Sequence, residues 1–203
     1  QPGIRTNEYC FGLCQKLKKV TFSSFLTSIG NYALKQCTLL KKVAISPTTK
    51  IIGHSAFLRC ISLKTIEIPS SVKVIDSFAF SYCTSLKQIT FAEGLTTIKF
   101  SAFSNCESLE SVKFPQTLTL IGQEAFHHCS SLECVDFPSS LKVIEQQAFG
   151  YCSSLQSVSI PPSVEMIDIL AFGECKSLKC FTIPSALYSK KLHSGSNPII
   201  NKY

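Results

Sequence analysis

The sequence repeats itself every 23 residues along most of its length. Cysteine marks the register and recurs at the same phase in eight successive units, as Cys14, Cys37, Cys60, Cys83, Cys106, Cys129, Cys152 and Cys175. No insertion or deletion interrupts this spacing. One such unit is too small to bury its own apolar face, so successive units must stack on one another to form a core. The period therefore predicts a solenoid.

The consensus of the unit is Cys-x-Ser-Leu-x-x-Ile-x-Ile-Pro-x-x-Val-x-x-Ile-x-x-x-Ala-Phe-x-x. Its Leu-x-x-Ile-x-Ile segment is short and rich in β-branched and aromatic residues, and apolar and variable positions alternate over its last three residues. These features are typical of a strand. The proline that follows lacks a backbone N–H and ends the strand. We therefore expect parallel strands about 4.8 Å apart. The Ala-Phe-x-x-Cys segment fits a single helical turn on the opposite side, with the phenylalanine filling the space between coils.

These columns resemble the BspA-like class of leucine-rich repeats, which is known from bacterial surface antigens and is expanded in some parasitic protists. The resemblance covers residues 6–184. It implies an α/β fold, a right-handed leucine-rich-repeat solenoid in the form of an arc or horseshoe, with a parallel β-sheet on one face and short helical turns on the other. It also implies the absence of a cofactor, and a role in adherence, host-protein binding or cell–cell contact.

The pattern divides the chain into three parts. Residues 1–13 form a degenerate N-terminal half-repeat, residues 14–184 an array of about eight 23-residue units, and residues 185–203 an irregular C-terminal tail. Neither end has the features of a cap, so the array could belong to a longer chain or self-associate through exposed strands. The chain contains no apolar run of about 18 residues, so we expect no membrane insertion.

The positions between the buried columns of each strand must face outwards, because side chains alternate along a strand. This rule predicts a binding surface on the exposed sheet made of Lys18, Lys19, Lys41, Lys42, Lys64, Thr65, Glu67, Lys87, Gln88, Thr90, Glu110, Lys113, Glu133 and Asp136. Lysines dominate its first four repeats and acidic residues its fifth and sixth. Stacked lysines repel one another, which indicates an anionic ligand. Alternatively, the lysines only keep an exposed sheet from aggregating.

The cysteines allow three interpretations. The favoured one is a buried ladder of small apolar side chains. Disulfides between neighbouring coils are a second, because the coils lie within the distance that a disulfide needs. Metal binding is a third, although the column lacks the Cys-x-x-Cys spacing of zinc sites. Outside the column, Cys10 is expected in the core, and Cys134 and Cys180 on the exposed sheet.

The chemistry of catalysis finds little support in the sequence. Glu124, His127, His128 and Cys129 are close together, but adjacent histidines should point in different directions. No glycine-rich phosphate loop, nucleophile elbow or carboxylate pair occurs. We therefore expect no enzyme activity, metal or cofactor, and no catalytic residues.

Taken with the resemblance, these observations predict a protein-recognition module. We expect it at the cell surface or in secreted form, as an adhesin-like module that binds host or extracellular proteins through the exposed sheet. The net charge of +7 favours acidic partners. Two alternatives stay open: a cytoplasmic protein-interaction scaffold, and a binder of anionic glycan or nucleic acid through the lysines.

Overall fold

The computed structural model of the chain describes residues 4–168, 170–185 and 187, and shows two sets of short parallel strands that alternate along the sequence. The odd-numbered strands are β1 (Ile4–Arg5), β3 (Leu26–Ile29), β5 (Ile51–Ile52), β7 (Val74–Ile75), β9 (Thr97–Ile98), β11 (Leu120–Ile121), β13 (Val143–Ile144) and β15 (Met166–Ile167). The even-numbered strands are β2 (Lys19–Thr21), β4 (Lys42–Ala44), β6 (Thr65–Ile68), β8 (Gln88–Phe91), β10 (Ser111–Lys113), β12 (Cys134–Asp136), β14 (Ser157–Ser159) and β16 (Cys180–Thr182). Most of the predicted C-terminal tail, residues 188–203, lies outside the described residues.

The odd-numbered strands form one continuous parallel sheet of eight strands, in the order β1-β3-β5-β7-β9-β11-β13-β15. From β3 onward the paired residues of neighbouring strands are one 23-residue repeat apart, as Ile52 and Ile75 are. Seven steps link the eight strands, so the solenoid makes seven turns along this sheet. The sheet runs through the isoleucine that stands four positions before each Ala-Phe pair, called the isoleucine column, where no strand was predicted.

The predicted Leu-x-x-Ile-x-Ile strands also form, and they are the even-numbered ones. They pair as four separate two-stranded sheets, β2-β4, β6-β8, β10-β12 and β14-β16. Within a pair the register is again one repeat, with Val20 opposite Val43 in the first. The predicted strands are therefore confirmed in the even-numbered set, but the continuous sheet is formed by the odd-numbered strands.

The Ala-Phe-x-x-Cys segment is not helical, so the prediction of short helical turns was wrong. In each coil two non-glycine residues four positions apart adopt a positive φ, such as Phe78 (φ 59°) and Tyr82 (φ 59°). A left-handed residue at this spacing interrupts a right-handed helix. Alternate N–H groups donate to the next coil instead, as the N–H of Phe80 does to the carbonyl of Ala102 at 2.7 Å. These bonds satisfy backbone groups that a helical turn would otherwise bond internally.

Helical backbone is correspondingly rare. Within the described part of the chain it occurs only at Ser185 and Leu187. No helix there is long and apolar enough to cross a lipid bilayer.

The core repeats the same contacts in every coil. The alanines of the Ala-Phe pairs are buried, as are the phenylalanines from Phe57 to Phe149, whereas Phe172 in the last pair is half-buried. The phenylalanine rings stack along the solenoid. Phe80 and Phe103, for example, lie 5.1 Å apart between ring centroids with an interplanar angle of 1°. A second column, with Phe91, Phe114 and Phe137, meets these rings edge-on. The predicted role of phenylalanine between coils is confirmed.

Seven of the eight cysteines of the column, from Cys37 to Cys175, are buried, as the favoured interpretation predicted, whereas the first, Cys14, is exposed. Each buried thiol donates to a backbone carbonyl 26 residues earlier, as Cys106 does to the carbonyl of Phe80 at 3.3 Å. Cysteine therefore combines a small apolar volume with a donor that reaches the preceding coil. All eleven cysteines are free thiols.

Three further cysteines test the predicted phases. Cys134 and Cys180 are exposed on the even-numbered strands, as expected. Cys10 is also exposed, so its predicted place in the core was wrong. It lies in the first described coil, and no earlier coil within the described residues covers it.

Gly94 is a position where the backbone requires glycine. Its φ is +139°, and a Cβ there would collide with the carbonyl oxygen of Ser70. We expect Gly94→Ala to lower the free energy of unfolding by about 2–4 kcal/mol, through strain and overpacking together. Chemical denaturation followed by circular dichroism measures this.

The control for this substitution is Gly173→Ala. Other coils carry Ser81 and Ser104 at the phase of Gly173, so this position accepts a side chain. We expect a loss below about 1 kcal/mol there. Equal losses in the two variants would contradict the assignment of strain to Gly94.

Candidate functional site

The outward side of the even-numbered strands, called the strand face below, carries the predicted binding surface. All fourteen predicted residues, from Lys18 to Asp136, are exposed. The residues between them point inwards, and Val20, Val43 and Ile66 are buried. The alternation inferred from the sequence thus places these side chains together on one exposed surface.

The first coils of the strand face concentrate positive charge. Lys19 and Lys42 are paired across β2 and β4, and the N–H of Lys41 donates to the carbonyl of Lys18 at 3.0 Å. Lys64 occupies the same phase as Lys41 in the next coil. Neighbouring parallel strands are about 4.8 Å apart. Within the residues that the structure describes, none of these five lysines forms an ion pair.

Two lysines of the strand face in the later coils form ion pairs instead. Lys87 Nζ lies 3.3 Å from Glu110 Oε1, and Lys113 Nζ lies 3.6 Å from Asp136 Oδ2. These pairs are exposed and contribute little to stability. They do neutralise much of the acidic patch inferred from the sequence. The lysines of the strand face therefore differ along the solenoid: those of the first three repeats are unpaired, whereas Lys87 and Lys113 are each paired with a carboxylate.

The continuous sheet presents a second exposed surface that sequence reasoning missed. Its outward column is mainly aliphatic and includes Ile51 and Met166, which are 47% and 46% exposed, and the half-buried Val74, Leu120 and Val143. The signal was present in the sequence, since four of the six isoleucines of the column from Ile52 to Ile167 follow a β-branched residue, the type that favours strands. It was overlooked because the sheet was expected on the Leu-x-x-Ile-x-Ile segment alone.

The histidine cluster noted in the sequence lies on a third side of the coils, the turn side, which is formed by the Ala-Phe-x-x-Cys segments. The rings of His127 and His128 lie 4.5 Å apart in an edge-on arrangement. Burial, and then the neighbouring His128, lowers the pKa of His127, so its ring is neutral at neutral pH. Cys129 is buried and bonded to the carbonyl of Phe103. The described part of the chain holds no group of three or more His, Cys, Asp and Glu side chains that could ligate a metal ion.

Comparison with protein families gives a match over nearly the whole chain. A model of the BspA type leucine rich repeat region, with six copies of the repeat, matches residues 4–109 and 73–194. No curated protein matches the chain.

Solved structures of leucine-rich repeat proteins are similar to the chain. One from Bacteroides ovatus is 27% identical with a TM-score of 0.66, and the match covers 89% of this chain and 41% of that one. Another from Eubacterium ventriosum is 29% identical with a TM-score of 0.74, covering 83% and 45%. The leucine-rich repeat protein of T. pallidum is 26% identical with a TM-score of 0.58, covering 91% and 73%. The chain thus spans less than half the length of the first two.

Proposed function

The chain belongs to the family of BspA-type leucine-rich repeat proteins, and we propose that it is a non-catalytic module that binds an acidic protein surface through the strand face. The observation that carries this proposal is the group of five unpaired lysines, Lys18, Lys19, Lys41, Lys42 and Lys64. Complementary charge steers association and selects partners. None of the fourteen predicted positions is aromatic or arginine, the residue types that dominate tight interfaces. Binding should therefore be moderate in strength and sensitive to salt.

The proposal includes a location at the cell surface or in secreted form, with a host or extracellular protein as partner. It rests on the resemblance to surface antigens. Trypsin treatment of intact cells that express the parent protein tests it: we expect the exposed protein to be cleaved while a cytoplasmic marker survives. Survival of both would favour the cytoplasmic scaffold.

The ends of the solenoid offer a further proposed contact, between copies of the chain. Among the residues that the structure describes, β1 forms one edge of the continuous sheet and β15 forms the other. Unpaired edge strands are templates for pairing with another chain. Sedimentation over a range of concentrations measures this self-association.

Reversing charge on the strand face is expected to weaken binding. In Lys18→Glu/Lys41→Glu/Lys64→Glu, we expect at least a tenfold loss of affinity for acidic proteins in a panel of purified plasma and matrix proteins. The reason is that three attractive charges become repulsive. Surface plasmon resonance at several salt concentrations provides the measurement, since screening should reduce the difference between variants.

A matched variant separates the strand face from net charge. Lys50→Glu/Lys73→Glu/Lys176→Glu changes the same number of exposed lysines away from the strand face. It should bind like the unmodified chain, and equal losses in both variants would contradict the proposal. Heparin and a DNA duplex belong in the same panel. If the unmodified chain binds either of them more tightly than every protein, the alternative of an anionic glycan or nucleic acid is favoured.

A further inference from the structure

A column of side chains on the turn side is stacked along the solenoid with one gap. Arg59, Tyr82, Asn105, His128 and Tyr151 occupy the same phase in five successive coils, and all have a positive φ. The guanidinium carbon of Arg59 lies 5.3 Å from the ring centroid of Tyr82. The rings of His128 and Tyr151 are stacked at 4.6 Å with an interplanar angle of 17°. Asn105 is the one short member between them, so the stack is interrupted at its coil.

The gap is a shallow cleft of about 390 Å³, and Tyr82 and His128 stand on either side of it. Two coil steps separate these residues, which is roughly 10 Å at the spacing of parallel strands. A ring that touches an aromatic face needs about 3.5–4 Å between carbon atoms on each side. The cleft is therefore wide enough for one ring of a ligand, and not for two.

Polar groups line the cleft between its two sides. The carboxylate of Glu124 accepts from the hydroxyl of Ser101 at 3.1 Å, which fixes its orientation. The amide of Asn105 donates to the hydroxyl of Ser104 at 2.9 Å, and Ser104 is itself buried. The lining contains no lysine or arginine, whereas it does contain a carboxylate. Phosphate, sulfate and carboxylate groups are therefore disfavoured there.

We propose that this cleft binds one pyranose ring of a neutral glycan. A pyranose has apolar C–H faces, which suit the aromatic faces of Tyr82 and His128, and a rim of hydroxyl groups, which suits Glu124 and Asn105. A concave site with apolar walls and a few convergent polar groups is the usual form of a small-molecule site. A chair-shaped pyranose is also thicker than a planar base, so it reaches both walls of a cleft of this width.

The walls are held in place before any ligand arrives. Arg59 packs against the outer side of Tyr82, and Tyr151 packs against the outer side of His128. Preorganised walls reduce the entropy that binding costs. A single ring gives weak affinity, on the order of 1 mM, and repeated contacts on a glycan-coated surface would strengthen it through avidity. The cleft is separate from the strand face, so a test of glycan binding does not depend on whether the strand face binds an acidic protein.

Saturation-transfer difference NMR on the whole chain tests the site. The probes are methyl β-glucopyranoside, methyl β-galactopyranoside, methyl α-mannopyranoside and methyl N-acetyl-β-glucosaminide, with adenosine as an uncharged planar probe. We expect transfer from the protein to ring C–H protons of at least one sugar. In Asn105→Tyr, which fills the cleft, we expect that transfer to fall at least tenfold. The coils accept tyrosine at this phase, since Tyr82 and Tyr151 already occupy it.

The matched control is Leu13→Tyr, which adds the same ring at the same phase several coils away. It should leave transfer to the sugar unchanged. The proposal is overturned if no sugar receives saturation, if Asn105→Tyr retains the signal, or if both variants lose it equally. Transfer to adenosine alone would also overturn it, because the cleft would then select planar rings.

Discussion

Phe103→Ala is expected to lower the free energy of unfolding by about 3–5 kcal/mol. Phe103 is fully buried, and its ring stacks on Phe80 and on Phe126 at 5.1 Å in both cases. Phe91 meets its edge at 6.1 Å. The substitution leaves a cavity and removes aromatic pairs worth about 0.5–1.5 kcal/mol each beyond the buried area. Urea unfolding followed by far-UV circular dichroism measures the loss.

The position of Phe103 adds a second expectation. Each coil of a solenoid contacts only its neighbours, so weakening a middle coil uncouples the two halves. We therefore expect a broader transition, or two transitions, in Phe103→Ala. The control is Phe172→Ala near the end of the described array, where the ring is half-buried and stacks face to face only on Phe149, at 5.2 Å. Equal losses and equally sharp transitions would show that the coils do not couple in this way.

The burial or exposure of individual side chains could be predicted from the sequence, because each follows from the position of one column in the repeat. The period alone identifies which side chains meet between coils, so the burial of Cys106 and Phe103 follows from their phase. The exposure of Lys18 and Lys41 follows from the alternation of a strand in the same way. These predictions required no knowledge of the backbone path between columns.

The backbone path itself was not predictable at the same level. The turn side depends on left-handed residues such as Phe78 and Tyr82, and neither residue type signals a positive φ as glycine would. Inter-coil hydrogen bonds, which no single repeat contains, offset the cost of these conformations. The cleft beside Asn105 was hidden for a related reason, since it arises from three consecutive coils in which a short side chain stands between two rings.

The buried thiols are expected to make the protein lose stability in mild alkali. Burial raises the pKa of Cys83 and Cys129 from the ordinary 9.0 to about 12, and burial likewise raises the pKa of Cys60 and Cys106. In the unfolded chain these thiols ionise near pH 9, whereas in the folded protein they stay protonated. Stability is therefore complete below pH 9 and falls as the pH rises from 9 towards 12. At pH 10, Cys83 and Cys129 alone account for a loss of about 3 kcal/mol.

Comparison with Cys83→Ala/Cys129→Ala distinguishes this titration from other effects of alkali. The variant lacks two thiol donors to carbonyls of the preceding coil, so it should be less stable than the unmodified protein at pH 8. Its free energy of unfolding should then fall by about 3 kcal/mol less between pH 8 and pH 10, because two ionisable groups are gone. The two stability curves should therefore converge as the pH rises. Parallel curves would mean that these thiols ionise equally in the folded and unfolded states, and that the cysteine column is not sealed from water.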